Sequence, residues 1–374
     1  MQMTAMPRKI GSELWDEKVP PTWDADREDT LICRLVRSET HDVKTFLFSP
    51  AKPSLFRFRP GQFITLDLNI GGETINRCYT ISSSPTRPDT LSITVKRQPG
   101  GKVSNWLHDT MKPGAEIKAM GPSGDFSFTH HAAEKYLFLS GGSGVTPLMS
   151  MARTCYDMAA DADVVFVHSA RTPADIIYRQ ELASMEFGLP RFRTAFVCET
   201  AGDQRDWAAP TGYLTGALLE TIAADFRQRE IYCCGPDAYM KAVSAMLKDA
   251  GFDMAHYHQE SFTFGVDAGA EIAAPAPTPA ESASPAADGF EITFQKTGQK
   301  IICGPDQFIL EAARNAGMRL PFSCTKGICS TCKTKKLSGE VEMKHGGGIR
   351  QREIDQGMIL PCCSKPRSNI TLDK

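Results

Sequence analysis

Three thiols crowd into the nine residues CTKGICSTC, Cys324 to Cys332, and two more follow at Cys362 and Cys363 in MILPCCSKP. The first three have the spacing C-x4-C-x2-C. The opening MQMTAMPRKIGSELWDEK holds a proline, two glutamates and an aspartate where an export signal needs an apolar stretch. The chain is therefore expected in the cytoplasm, where clustered cysteines hold metal rather than form disulfides. Two irons bridged by sulfide need four thiolates and a loop of small residues folded tightly around them. Gly327 suits such a loop because it reaches backbone angles closed to other residues, and small Ser330 permits close approach. Zinc is the alternative, but zinc loops come as two C-x2-C knuckles, whereas here one short pair has its other ligand five residues upstream. The pattern points to a [2Fe–2S] cluster on Cys324, Cys329, Cys332 and one of Cys362 and Cys363.

Such a cluster takes one electron at a time, so a two-electron donor needs an intermediary, and a flavin serves. Candidate flavin text is RCYT, Arg77 to Thr80, followed by GGKVSNWL, Gly100 to Leu107. Next, LSGGSGVTP closes the apolar strand KYLFL and enters an apolar helix. Gly141, Gly142 and Gly144 there leave room for a pyrophosphate against bare backbone at a helix start marked by Thr146 and Pro147. A glycine-rich turn by itself could be only a tight connection. The ordered set, however, resembles the R-x-Y-[ST], G-G-x-x-S, GGxGxTP and C-G-P motifs of the ferredoxin–NADP reductase superfamily, the last of them in YCCGPDAYM.

That resemblance implies that Arg77 faces the FAD pyrophosphate, Tyr79 packs on the flavin ring and Thr80 bonds near its N5. Lys102, Val103 and Ser104 would offer amide and hydroxyl donors to the pyrophosphate where a helix begins. Cys234, with Gly235 and Pro236, would lie beside the nicotinamide ring, Cys233 being the structural alternative. Without the other motifs Cys234 would read as a small buried hydrophobe. In QESF, Gln259 to Phe262, Glu260 would approach the flavin. Cys234, Thr80 and Glu260 are thus the catalytic candidates. The C-terminal part is similar to the plant-type ferredoxin domain of flavin-dependent reductases, whose last ligand lies four residues before a proline. Pro366 then selects Cys362 and leaves Cys363 a structural neighbour.

From residue 29 onward the chain resembles a three-part NAD(P)H-dependent FAD/[2Fe–2S] reductase. HGGGIRQREIDQGMILPCCSKP makes it most like the reductase components serving Rieske-type oxygenases that demethylate glycine betaine and similar quaternary ammonium compounds. The implied path runs from NAD(P)H as hydride to the flavin, then as single electrons through the cluster to a terminal oxygenase component. A plant-type cluster at roughly −400 mV can reduce a Rieske centre, so flow is outward. Arg171 stands where the superfamily sometimes binds the 2′-phosphate of NADP. Many NADH users keep an arginine there, and with no second basic residue evident NADH is expected, NADPH being the alternative. Hybrid-cluster-protein reductases share this architecture. A diaphorase with a small-molecule acceptor and a zinc-stapled adaptor are the rivals from other classes.

The elements that must position these residues can be read from pattern. A chain of 374 residues with 41% hydrophobic content suffices for two or three soluble domains, and a net charge of −2 gives no reason to expect nucleic acid or an acidic membrane as partner. No apolar run approaches a membrane span. Up to residue 131, short segments such as VKTFLFSP, GQFITLDLNI and TLSITVKRQ predict an antiparallel β-barrel or sandwich for FAD over 29–131. From 132, apolar strands such as ADVVFVHSA alternate with helical stretches and predict a parallel α/β nucleotide domain over 132–265. Pro275, Pro277, Pro279 and Pro285 mark an Ala/Pro-rich linker over 266–288. A hairpin in FEITFQKTGQKIIC and a helix in FILEAARNAG predict a β-grasp ferredoxin domain over 289–374. Residues 1–28 carry no usable pattern and are expected to form a poorly ordered leader rather than a partner-docking arm.

Overall fold

The computed structural model describes residues 3–5, 19–25, 27–261, 289–318, 320, 322, 327, 332–345, 349 and 351–374, the side chains of 3–5, 74, 351 and 352 excepted. The linker lies outside the described residues. The chain falls into two compact units, residues 1–64 with 79–262, and residues 65–78 with 263–374.

Strands β1 (Met3–Ala5), β2 (Asp29–Ser38), β3 (Val43–Pro50), β4 (Phe63–Ile70), β5 (Glu73–Thr80), β6 (Leu91–Lys96) and β7 (Glu116–Ser123) form one seven-stranded sheet in the order β5-β4-β7-β2-β3-β6, with β1 on β2. The β2–β3, β2–β7 and β3–β6 pairs are antiparallel. Register follows the apolar pattern: Phe46 faces Ile93 and Phe48 faces Leu91 across β3 and β6, and all four are buried. Helix α1 (Lys102–Thr110) follows a turn in which Gly100 takes φ +72°. One expectation fails here. Trp23, in the supposed leader, is only 5% exposed; its ring packs tilted against Phe56 and its Nε1–H donates to the Gly121 carbonyl at 2.8 Å. A tryptophan isolated among Pro, Asp and Ala gives no periodicity, so only the tertiary contact exposes its role.

The nucleotide half holds a parallel sheet of β8 (Lys135–Gly141), β9 (Asp163–Ala170), β10 (Phe192–Cys198), β11 (Glu230–Cys234) and β12 (Tyr257–Glu260), ordered β10-β9-β8-β11-β12. Helices α2 (Val145–Asp157), α3 (Arg179–Gly188), α4 (Gly216–Ile222) and α5 (Asp237–Asp249) connect the strands. Both sheet faces are covered. Phe138 and Phe166 pack with Leu148 of α2 and Leu182 of α3, while their neighbours Leu137, Leu139, Val165 and Val167 pack with Leu219 of α4 and Leu247 of α5. Strand order reverses between β8 and β11, which makes the carboxyl ends of those strands the natural crevice for a nucleotide. A buried guanidinium ties this half to the barrel: Arg153 donates to both Glu181 oxygens at 2.7 and 2.8 Å, lies 4.6 Å from the Tyr178 ring, and donates to the Ser82 carbonyl.

The last module comprises β13 (Phe290–Phe294), β14 (Gln299–Cys303), α6 (Ile309–Asn315), β15 (Thr334–Ser338), β16 (Val341–Met343), α7 (Gln351–Asp355), β17 (Met358–Ile359), β18 (Ser364–Pro366) and β19 (Ile370–Leu372). Its sheet runs β14-β13-β19-β15-β17, with a separate β16–β18 pair. An antiparallel hairpin, a helix, and a last strand parallel to the first give the expected β-grasp.

Candidate functional site

The glycines of LSGGSGVTP do two different jobs. A Cβ on Gly144 would stand 2.3 Å from the Cys234 carbonyl oxygen, and one on Gly141 would meet the Tyr239 ring at 3.1 Å. A Cβ on Gly235 would meet the same ring at 2.8 Å. The turns after β8 and β11 are therefore pressed backbone to backbone, with Tyr239 of α5 filling the wedge, and only glycine permits it. Gly142, at φ +53°, has nothing within 4 Å and supplies the bare, open backbone that a pyrophosphate needs. The Thr146 hydroxyl donates to the Ser143 carbonyl at 3.2 Å and fixes the turn. Tyr239, which no motif singled out, is legible only through this packing.

Cys234 and Glu260 are register partners on β11 and β12, so the sheet sets them side by side at its carboxyl edge. Burial pushes the Cys234 thiol far up, with the Glu260 charge second, so this sulfur stays protonated. Glu260 Oε2 is enclosed and makes no hydrogen bond among the described residues. Its carboxyl is pushed up to about 8, first by burial and then by the charge of Asp125. A protonated carboxyl beside a neutral thiol is an environment shaped to accept a group with its own polar atoms.

That proton has a measurable consequence. The ordinary value for this carboxyl is 4.5. Between about 4.5 and about 8 the folded chain keeps a proton that the unfolded chain has released, so stability falls as pH rises through that window and stays low above it. Glu260→Gln removes the loss. The thermal unfolding midpoint of the variant is expected to exceed that of the parent by a margin growing from pH 5 to pH 8; a margin independent of pH would reject the assignment.

On the flavin side, Thr80 is buried at the end of β5, preceded by half-buried Tyr79 and Arg77. No side chain caps α1, which leaves its start, at Lys102, Val103 and Ser104, open to an anion. The Ser104 hydroxyl accepts from the Gln98 amide at 3.1 Å and donates to the Gly101 carbonyl at 3.4 Å, so it also holds the glycine turn in shape. Arg171 Nη2 lies 3.0 Å from Asp175 and 3.6 Å from Asp42, the latter contributed by the barrel. Burial opposes ionisation of Asp175, yet hydrogen bonds from Thr172 and the Arg171 charge hold it below the usual carboxylate range.

In the ferredoxin module Cys332 and Cys362 are both buried in one apolar core, as is Cys363. Gly327 takes φ +69°, and a Cβ there would meet the Cys363 sulfur at 2.6 Å. The Cys363 thiol donates to the Leu360 carbonyl at 3.5 Å. Cys324 and Cys329 lie outside the described residues. The groups the site would hold fit what is present: open backbone at Gly142, an uncapped helix start at α1, and buried thiols beside a positive-φ glycine.

Comparison with known proteins agrees with this geometry. Residues 33–128 match the oxidoreductase FAD-binding domain, 138–245 the oxidoreductase NAD-binding domain, and 292–367 the 2Fe-2S iron-sulfur cluster binding domain. The glycine betaine monooxygenase reductase subunit of Chromohalobacter salexigens is 47% identical over 356 residues, covering 94% of this chain and 96% of that one. The chain belongs to this family of FAD, NAD and [2Fe–2S] reductases. The stachydrine N-demethylase reductase subunit of Rhizobium meliloti is 39% identical across 92% of this chain and 96% of its own. Among solved structures, phthalate dioxygenase reductase aligns over 92% of this chain and 97% of its own with a TM-score of 0.56; at 23% identity this shows the shared fold. The reductase is accordingly an oxidoreductase that carries electrons from a nicotinamide nucleotide by way of FAD to a [2Fe–2S] centre. Among the described residues no helix is long and apolar enough to cross a membrane.

Proposed function

We propose that this reductase works in the cytoplasm as the NADH-dependent electron donor of a Rieske-type non-haem iron oxygenase that demethylates glycine betaine or a similar quaternary ammonium compound. The observation that carries this reading is the 47% identity to a glycine betaine monooxygenase reductase subunit over nearly the whole of both chains, in which all three modules take part. We assign the FAD domain to 29–131, the nucleotide domain to 132–265, the linker to 266–288 and the ferredoxin domain to 289–374.

When bound, flavin and cluster convert a hydride from the nucleotide into single electrons. The chain's own residues bind, orient and enclose. Arg77, Tyr79, Thr80 and the α1 start at Lys102, Val103 and Ser104 hold the flavin; Gly141, Gly142, Gly144 and Thr146 shape the turn for the nucleotide pyrophosphate. Cys234, Gly235 and Pro236 line the nicotinamide position, with Glu260 keeping a proton at its enclosed carboxyl. Cys324, Cys329, Cys332 and Cys362 are the cluster ligands.

The preference for NADH rests on Arg171. With two carboxylates already against its guanidinium, a nucleotide 2′-phosphate would have to displace Asp175 or sit beside two negative charges. Asp42→Asn is expected to raise kcat/KM for NADPH roughly fivefold, the scale of one partly exposed charge pair, and to change that for NADH less than about twofold. An unchanged ratio would place the specificity elsewhere.

An anaerobic visible-absorption titration with NADH, repeated with NADPH, tests the whole reading. Flavin and iron–sulfur bands should bleach together, consuming about three electrons per chain, two at the flavin and one at the cluster. The reduced protein should then reduce a purified glycine betaine oxygenase component. A colourless sample, or bleaching of the flavin alone, contradicts the relay.

A further inference from the structure

The near-neutral total charge hides a division. Residues 289–374 carry 14 lysines and arginines against 8 aspartates and glutamates, whereas residues 1–288 carry 28 against 36. The ferredoxin module is thus +6 and the remainder −8 before any cofactor is counted. Five of the module's eight carboxylates, Glu291, Glu342, Glu353, Asp306 and Asp373, are already paired with its own lysines and arginines. The module's excess of cationic side chains over carboxylates thus leaves it net positive.

Strand β15 shows where some of it points. It begins two residues after Cys332, and alternation sends Thr334 inward, opposite buried Ile359 of β17, and Lys335 outward, opposite Met358. Lys335 is exposed, and no carboxylate pairs with it among the described residues. Leu337, at a bulge between Lys336 and Ser338, is 44% exposed. An exposed lysine close to an uncovered leucine is the composition of a recognition patch rather than of a merely solvated face. Three residues of strand span about 10 Å, so Lys335 stands within electron-transfer reach of the Cys332 position.

We infer that the exposed stretch of β15 holding Lys335 and Leu337 is the surface by which the ferredoxin module docks on its electron-accepting protein, and that it fits an acidic patch with an apolar centre. This rests on the reading of the chain as an outward electron relay. The accepting surface is that of a protein rather than of a membrane or nucleic acid, because the −8 remainder of the chain is repelled by extended polyanions while a compact acidic patch can engage the module alone.

Cytochrome c in native, cationic form and in succinylated, anionic form tests the inference with one haem and two signs of charge. Each ferric haem takes one electron and each NADH supplies two, under anaerobic conditions. The full-length holoprotein should reduce the succinylated form at low salt with a kcat/KM at least about tenfold above that for the native form, and the difference should collapse near 0.5 M NaCl. Lys335→Glu should cut the preference about threefold or more, and lower the salt needed to elute the protein from immobilised succinylated cytochrome c, with NADH-to-ferricyanide activity unchanged. Rates indifferent to the sign of the acceptor, a preference for native cytochrome c, a Lys335→Glu variant that keeps the full preference, or retention on phosphatidylglycerol vesicles in place of the anionic cytochrome would each overturn this inference and leave the reductase reading intact. Failure to reduce either form despite NADH bleaching of the flavin would instead sink the relay reading, and this inference with it.

Discussion

Cys332→Ser is expected to yield a yellow protein that has lost the iron–sulfur absorption and electron-spin-resonance signals, still reduces ferricyanide with NADH within about twofold of the parent, and reduces cytochrome c on the order of 100-fold more slowly. The separation follows from where the residue sits. Cys332 belongs to the apolar core of the ferredoxin module, together with Cys362, whereas the groups assigned to the nucleotide, Gly142, Cys234 and Glu260, stand at the carboxyl edge of a different sheet. A serine oxygen is a poor substitute for a thiolate toward iron, so the cluster is lost without disturbing that edge. The fourth ligand is decided by a paired experiment. Cys362→Ser should behave as Cys332→Ser does, while Cys363→Ser should keep the cluster, since that thiol already donates to the Leu360 carbonyl and packs on Gly327. Loss of ferricyanide activity along with the cluster in Cys332→Ser would show that the modules do not function separately.

What the sequence reveals and conceals here has a physical pattern. Strands such as VKTFLFSP and ADVVFVHSA are legible because each buries a face through local alternation or a continuous apolar run, and they form at Val43–Pro50 and Asp163–Ala170. The cluster-type spacing in CTKGICSTC is legible because chelation by one short loop would fix chain distances. Contacts between distant segments leave no such trace. Asp42 sits in the turn between β2 and β3 and reads as a solvated turn residue until Arg171 is found 3.6 Å away. Arg153 lies in an apolar helix, and only its bidentate pairing with Glu181 explains a buried guanidinium there. Trp23 has no periodic neighbours at all. Even Gly144, read from the motif as part of a turn against phosphate, has its spatial reason in the Cys234 backbone, a partner that no local reading supplies.

Gly144→Ala tests that reason directly. The residue has φ −64° and ψ −4°, so alanine meets no backbone strain there, and at this N-cap the change costs only a modest amount by itself. The large loss comes from the methyl group, which would stand 2.3 Å from the Cys234 oxygen and 2.5 Å from the Gly235 nitrogen. Relief requires the turns after β8 and β11 to part by about 1 Å, since non-bonded atoms settle near 3.5 Å. Those turns carry Gly142 on one side and Cys234 on the other, so parting them moves the turn assigned to the nucleotide relative to the position assigned to the nicotinamide. A misplacement of that size costs on the order of 100-fold in the reacting step. Stopped-flow bleaching of the flavin by NADH should therefore slow by about that factor, with FAD retained and the cluster spectrum unchanged. Gly142→Ala supplies the contrast. At φ +53° with open space around it, it incurs backbone strain of roughly 1 to 2 kcal/mol but no collision, and its bleaching rate should fall much less. If the two variants slow equally, the open backbone at Gly142 rather than the pressed contact at Gly144 controls the geometry of transfer.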